Sequence, residues 1–365
     1  MAEKPPPSSA HLSSFAGPLQ LPVPRDLVRS AAHAALAAAW RGMRPNTGER
    51  FTRAPEKRLL SRLYYRADDG WQAPLFRLEP RPGAPGEPVV LAHGLGVNRH
   101  CLDFDPKLSL ARTLNAEGYA VYLLEHRGDR SAIAPPKAPS WDFDDLATRD
   151  IPAALDAVRA HSGAARVLYV GHGLGGQLLY AHLAHSRGED IAGACSISAP
   201  VRFTAPTSQA RALRKAARFL PGALRLPTRA ASAMSATSLM GEGLTEGPVH
   251  RGLLVHASED LHVGLLRQVL RWFEAGALVD RDDRIDYACA LHGLKTPIQL
   301  VTSWGDPLCR PEDATPVLSH LAGPSDLVEL DASWNHLDPL LGKDAPSRVY
   351  SHIVRFLGRF REACW

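Results

Sequence analysis

The chain has 365 residues, 45% hydrophobic and 22% charged, with a formal net charge of +4. Such a composition fits a globular protein with a large core, in two domains or in one with an insertion, and the small charge gives no reason to expect nucleic acid as a partner. No run approaches the roughly 20 apolar residues of a transmembrane helix. The Pro- and Ser-rich start has no apolar signal core, and five cysteines (101, 195, 289, 309, 364) form no C-x-x-C pair, so the expected setting is a reducing cytoplasm.

Residues 1–25 read as a disordered tail, and 26–58 as a helix with a linker. Asp26 can cap that helix, Val28, Ala32, Leu36 and Trp40 form its apolar stripe, and Gly42 stops it. Leu59 to Tyr65 and Trp71 to Leu78 read as strands around the turn Ala67-Asp68-Asp69-Gly70. Pro88-Val89-Val90-Leu91-Ala92 is a continuous apolar run of the kind found in buried parallel sheets, and it leads into His93-Gly94-Leu95-Gly96. A helix bearing Leu108, Ala111 and Leu114 follows, then a strand from Tyr119 to Leu124, then a helix from about Phe143 to His161. This alternation predicts an α/β fold, a mostly parallel twisted sheet with helices on both faces.

The strand Arg166 to Val170 runs into Gly171-His172-Gly173-Leu174-Gly175-Gly176, and a helical run starts at Gln177. Strand, sharp glycine turn and helix are the layout of a nucleophile elbow, G-x-S-x-G, with Gly173 where the serine belongs. Glycine tolerates the strained backbone of such a turn, so the change removes Oγ more readily than it removes the fold. His172, beside the turn, is expected to point away from the cleft. Gly171, Gly173 and Gly176 also spell the dinucleotide fingerprint G-x-G-x-x-G. That motif wants an acid at the end of the next strand, and Ile191 to Ile197 ends instead in Ser198-Ala199-Pro200.

After Ile197 the alternation breaks. Residues 201–290 are expected to form a helical cap, inserted before the strand Pro297 to Val301. The cap includes a basic helix within Phe203 to Pro221 and a second helix from Leu261 to Ala275. Seven Arg or Lys and no acid occur from Val201 to Ala230, read most simply as a solvated face. The core is then 59–200 with 291–365.

A triad in the order nucleophile, acid, histidine would take its acid from Asp306, after the strand at 297–301. It would take its base from His336, on the loop after the last strand, Leu327 to Leu330. Asp306 would orient His336 and stabilise its imidazolium. The N–H groups of Leu95 and Leu174 would form an oxyanion hole, shaped by Gly94 and Gly96 on one loop and by Gly171 and Gly175 at the elbow. Cys195 and Ser198 are the nearest alternative nucleophiles, and neither follows an elbow.

With these residues in place, the chain resembles the α/β-hydrolase superfamily from about residue 59 to its end. Within it, Val89 to Gly128 and Trp334 to Ala345 are similar to acid-lipase-like and polyhydroxyalkanoate-synthase-like bacterial proteins. The resemblance implies acyl-ester chemistry on apolar substrates under a cap. By position it matches Asp306 and His336 to the acid and base, and Gly94-Leu95 to the oxyanion loop. Gly173 departs from the serine of lipases and from the cysteine of polyester synthases. The leading expectation is a degenerate hydrolase that binds a small apolar acyl or ester ligand. The alternatives are an enzyme using Asp306–His336 as a general base, and a dinucleotide-binding protein. No metal and no cofactor is expected, since no His/Cys cluster occurs at ligand spacing.

Overall fold

The protein, a computed structural model, is described over residues 60–204, 217, 219–222, 224–226, 239–241 and 243–365. The chain divides into residues 1–50 and 51–365. The expected tail at 1–25, the helix and linker at 26–58, and most of the basic helix at 203–221 lie outside the described residues.

The strands in chain order are β1 (Ser61–Arg66), β2 (Gln72–Leu78), β3 (Pro88–Ala92), β4 (Ala120–Leu124), β5 (Val167–His172), β6 (Ile191–Ile197), β7 (Arg225–Leu226), β8 (Leu261–His262), β9 (Ile298–Ser303) and β10 (Ser325–Leu330). Eight of them form one sheet, in the order β1-β2-β4-β3-β5-β6-β9-β10. β1 pairs antiparallel with β2, and β2 with β4. All other pairs in this sheet are parallel. Every residue of β3, β4, β5 and β6 is buried, which explains their unbroken apolar runs.

The principal helices are α1 (Leu110–Ala116), α2 (Ile151–Ser162), α3 (Leu174–Ser186), α4 (Val263–Ala275) and α5 (Ser351–Gly358). α2 continues a helical run that begins at Phe143 under an Asp142–Asp145 capping box, and Gly163 stops it at φ +76°. Strand side chains alternate between two packed layers. Val90 and Ala92 of β3 join α2 and α3, whereas Val89 and Leu91 join α1 and α5. The loop after β4 is anchored by Arg127, whose fully buried guanidinium pairs with Asp150 and, at 2.6 Å, with Asp69.

The insertion between β6 and β9 is largely helical where described, with a helical stretch from Gly247 to Ala257, α4 and Tyr287–Ala290. A two-stranded β7–β8 ribbon precedes α4, so the helix expected from Leu261 begins two residues later. The parallel order brings the C-terminal ends of β3, β5, β6 and β9 to one edge of the sheet. That edge carries the His93–Gly96 loop, the Gly173 turn and the Asp306 segment, and the loop leaving β10 brings His336 to the same place.

Candidate functional site

Gly173 sits at φ +51°, ψ −113°, a conformation that L side chains rarely adopt. Its N–H donates to Ile197 O at 2.9 Å, and its carbonyl accepts the N–H groups of Gly176 and Gln177. The turn is thus tied to β6 on one side and to the first turn of α3 on the other. Neighbouring glycines are required by close approach. A Cβ on Gly171 would lie 2.5 Å from Gly176 N, and one on Gly175 would lie 2.7 Å from the Ala92 carbonyl carbon. A Cβ on Gly176 would lie 2.5 Å from Ser196 Oγ. Packing α3 hard against β3, β5 and β6 thus demands glycine at 171, 175 and 176, and the positive φ favours it at 173, so all three fingerprint positions are accounted for without a dinucleotide.

A Cβ built on Gly173 points at His336. It would lie 3.4 Å from His336 Nε2 and 3.6 Å from Gly94 Cα. On the far side of its ring, His336 Nδ1 lies 2.8 Å from Asp306 Oδ2. Asp306 is fully buried, and its Oδ1 accepts the N–H groups of Leu308 at 2.8 Å and Cys309 at 3.0 Å. Burial alone would raise this carboxyl, but the His336 ring and the Leu308 N–H hold it below its ordinary value. The acid, the base and the elbow expected from sequence are thus brought together.

The expected oxyanion residues reach the same point. Leu174 opens α3, where the first backbone N–H groups have no intrahelical acceptor. Leu95 belongs to the loop after β3, whose Gly94 touches the elbow and whose Gly96 takes φ +71°. His93 Nδ1 donates to Gly94 O at 3.0 Å, and His93 Nε2 lies 3.1 Å from Asp129 Oδ2. A trans peptide sets its C=O and N–H in opposite directions, so fixing the Gly94 carbonyl also fixes where the Leu95 N–H points. The insertion braces this loop from above: Asn98 N–H donates to Ala257 O, and Glu259 N–H to Gly96 O, both at 2.9 Å.

His172 packs under the loop that carries His336. It is 1% exposed, its ring centroid lies 4.7 Å from that of His336, and its Nε2 donates to His336 O at 2.9 Å. It therefore supports that loop from beneath. Burial, with the nearby His336, lowers its pKa to about 3, so the ring stays neutral. Asp338 supports the same loop. Its buried carboxylate accepts the N–H groups of Asn335 and Gly241, both at 2.7 Å, and the Thr245 hydroxyl at 2.6 Å. Sequence reasoning missed both supports, because their partners lie far away in the chain. The alternative nucleophile Cys195 is buried in β6 with Sγ 3.5 Å from Gln299 Oε1, and burial pushes its thiol pKa up.

The fold also assembles a donor set that no sequence motif announces. His93, Glu125 and Asp129 place ligand-type atoms within 4.8 Å of one another. Asp129 and Glu125 overcome burial to raise His93 to about 9, so it carries its own positive charge, and Arg99 Nε lies 3.3 Å from Glu125. The cluster is a buried network of paired acids and bases beneath the loop after β3, in which burial and Asp129 push the Glu125 carboxyl up.

A cavity of about 30 Å³ lies beside the loop after β3 and the start of α3, lined on its apolar side by Leu95, Leu146, Leu174, Leu261 and Leu265. Among the described residues, no helix is long and apolar enough to cross a membrane.

Comparison with known proteins agrees with this architecture. The chain is 25% identical to mouse (Mus musculus) lipase member K over 344 residues, which cover 80% of this chain and 85% of that protein. A shorter stretch of 116 residues is 31% identical to Lipase 1 of Drosophila melanogaster and spans only 26% of that protein. Among solved structures, a hydrolase from Pseudomonas aeruginosa PA01 superposes with a TM-score of 0.58 at 17% identity, over 82% of this chain and 98% of its own. The monoacylglycerol lipase of Paleococcus ferrophilus superposes at 0.54 with 19% identity, over 78% and 99%. At such identities these structures share the fold. A family model described as "Serine aminopeptidase, S33" matches residues 83–336, and the chain belongs to that family of α/β-hydrolases.

Proposed function

We propose that this lipase/esterase-like α/β-hydrolase is a degenerate member of its family, which binds an apolar acyl or ester ligand and forms no acyl-enzyme. One observation carries this reading: Gly173 stands at the elbow with its missing Cβ directed at His336 Nε2, 3.4 Å away. Base, acid and oxyanion loop surround a position that holds no nucleophile. In serine hydrolases, loss of that atom lowers kcat by on the order of 10⁶, and the remaining site keeps roughly 10³–10⁴ over water. Asp306 and His336 are the acid and base of this reading, and Leu95 and Leu174 the oxyanion donors.

A second reading rests on the same dyad. A carboxylate 2.8 Å from Nδ1 fixes the tautomer that leaves Nε2 ready to accept a proton. The site then acts as a general base on water or on an acidic substrate proton.

Assays on short- and long-chain nitrophenyl esters separate the two, with Gly173→Ser and His336→Ala run beside the native protein. The degenerate reading expects a silent native protein and turnover in Gly173→Ser. Turnover in the native protein that His336→Ala abolishes overturns it in favour of the general base. A folded Gly173→Ser protein that hydrolyses none of the esters removes the premise that the remaining site is intact.

A further inference from the structure

The segment that carries His336 is held from two directions. From the sheet, the Ser303 hydroxyl of β9 donates to Trp334 O, and His172 Nε2 of β5 donates to His336 O at 2.9 Å. From the insertion, Leu239, Gly241, Leu244 and Thr245 lie along both flanks of His336. Leu239 O accepts the Leu337 N–H and Leu244 O accepts the Lys343 N–H, both at 2.9 Å. A Cβ on Gly241 would collide with the Ser333 carbonyl oxygen, so the two backbones touch there. Met240 is buried in the same apolar cluster as Trp334 and Leu337.

These contacts converge on one carboxylate. Asp338 is fully buried, two residues beyond His336. Its Oδ2 accepts the N–H groups of Asn335 and Gly241, both at 2.7 Å, and its Oδ1 accepts the Thr245 hydroxyl at 2.6 Å. One of these donors belongs to the His336 loop itself, and two belong to the insertion. Burial pushes the Asp338 carboxyl up, and the Thr245 hydroxyl is the largest of the groups that oppose the rise. A buried acceptor that loses its donor carries its desolvation cost in full, and the cost is greater for a charged group. Removing the Thr245 hydroxyl therefore favours a rotated or rehydrated carboxylate. Rotation also releases the Asn335 N–H, one residue before His336. The two sheet contacts do not depend on the insertion, whereas two of the three Asp338 donors are present only while it is seated.

We propose that Thr245, contributed by the insertion, is a positioning residue for His336 and acts through Asp338. Lifting of the insertion withdraws the Thr245 and Gly241 donors and lets the turn that carries His336 relax, so the base is set only when the insertion is in place. The inference rests on His336 as the base in the reading above, and adds how that base is controlled.

The test is proton–nitrogen NMR of the native full chain with nitrogen-15 histidine, the His336 ring signals being identified by their absence in His336→Gln. The native protein is expected to show a far-downfield Nδ1–H proton, bonded to Asp306. Thr245→Val keeps the shape and removes the hydroxyl; in it the exchange of that proton with water is expected to accelerate by about tenfold or more, since exchange reads local opening. Thr245→Ala serves as a second variant with the same expectation. Thr245→Ser retains the hydroxyl and is expected to stay within about threefold of the native rate. Unchanged exchange in folded Thr245→Val, whatever its melting temperature, overturns the proposal and leaves the acid–base reading standing. Acceleration of equal size in Thr245→Ser also overturns it, because the hydroxyl is then not what matters. A native protein whose His336 ring has no proton bonded to Asp306 overturns both.

Discussion

His336 Nε2 lies 3.4 Å from the point where a side chain on Gly173 would begin. This distance permits a Cβ without displacing the ring, so the obstacle to a serine here is backbone strain rather than space. At φ +51° and ψ −113° a non-glycine residue costs about 1–3 kcal/mol. Gly173→Ser is therefore expected to lower the unfolding free energy by about that amount while gaining ester hydrolysis. Urea denaturation and a nitrophenyl ester assay on the same preparation check both halves. A variant as stable as the native protein would show that the elbow is relaxed rather than strained.

On the proposed degenerate-hydrolase reading Asp306 acts through His336, so its effect should appear only once a nucleophile is present. In the Gly173→Ser background, Asp306→Asn should cut kcat by roughly 10⁴, because the amide presents the wrong partner to Nδ1 and favours the wrong tautomer. KM should change little, since Asp306 is fully buried and lies behind the ring. Unchanged kcat would mean that His336 is oriented by its backbone loop alone.

The sheet, the glycine turn between strand and helix, and the placing of Asp306 and His336 at neighbouring strand ends were legible in the sequence for a common reason. Each is written locally: a buried parallel strand as an unbroken apolar run, the elbow as a glycine run between strand and helix, Asp306 and His336 by the strands they follow. What sequence did not reveal depends on contacts between distant segments. His172 faces His336 across 164 residues, Asp338 accepts from Thr245 across 93, and Asn98 holds the insertion through Glu259 across 161. The β7–β8 ribbon was missed because two residues per strand carry no period.

The elbow glycines should differ sharply from a glycine that merely ends a helix. A Cβ on Gly175 would meet the Ala92 backbone, which cannot rotate away, whereas a Cβ on Gly163 meets nothing within 4 Å. Gly163→Ala should cost about 1 kcal/mol for its left-handed φ. Gly175→Ala should cost about 3 kcal/mol or more, as backbone overpacking does, and should displace the start of α3. Thermal denaturation of the two variants checks the order. A reversed order would contradict the close approach of α3 to β3.

Stability should fall on both sides of neutrality, for opposite reasons. Burial lowers His126 and His172 to about 3 and His262 to about 4. Their folded values lie below the unfolded value of about 6.5, so the native state binds fewer protons. This contribution is complete above pH 6.5 and is lost as pH falls from there toward 3. His93 runs the other way. Asp129 and Glu125 outweigh burial and raise it to about 9, so its contribution is complete below pH 6.5 and is lost as pH rises through 9. The alkaline term is about 3 kcal/mol in scale. Urea denaturation at several pH values should show the alkaline decline in the native protein, and His93→Gln should flatten it. A decline of equal slope in that variant would assign it to another group.

Arg127 and Asp150 give a sharp stability contrast. Both side chains are fully buried, and the guanidinium also reaches Asp69 at 2.6 Å, so one cation joins the β1–β2 turn, the loop after β4 and the helical run that leads into α2. Removing one partner of such a pair leaves an uncompensated buried charge and typically costs about 3–5 kcal/mol. Replacing both with apolar groups of similar volume avoids that penalty. Arg127→Met and Asp150→Leu should each destabilise by that amount, and the double variant by clearly less than the sum of the two. The residual loss in the double variant should come from Asp69 and from Tyr65, whose hydroxyl lies 3.4 Å from Asp150 Oδ2. A double-mutant cycle by urea denaturation measures the coupling. A coupling energy near zero would show that the pair is hydrated and contributes little to joining the three segments.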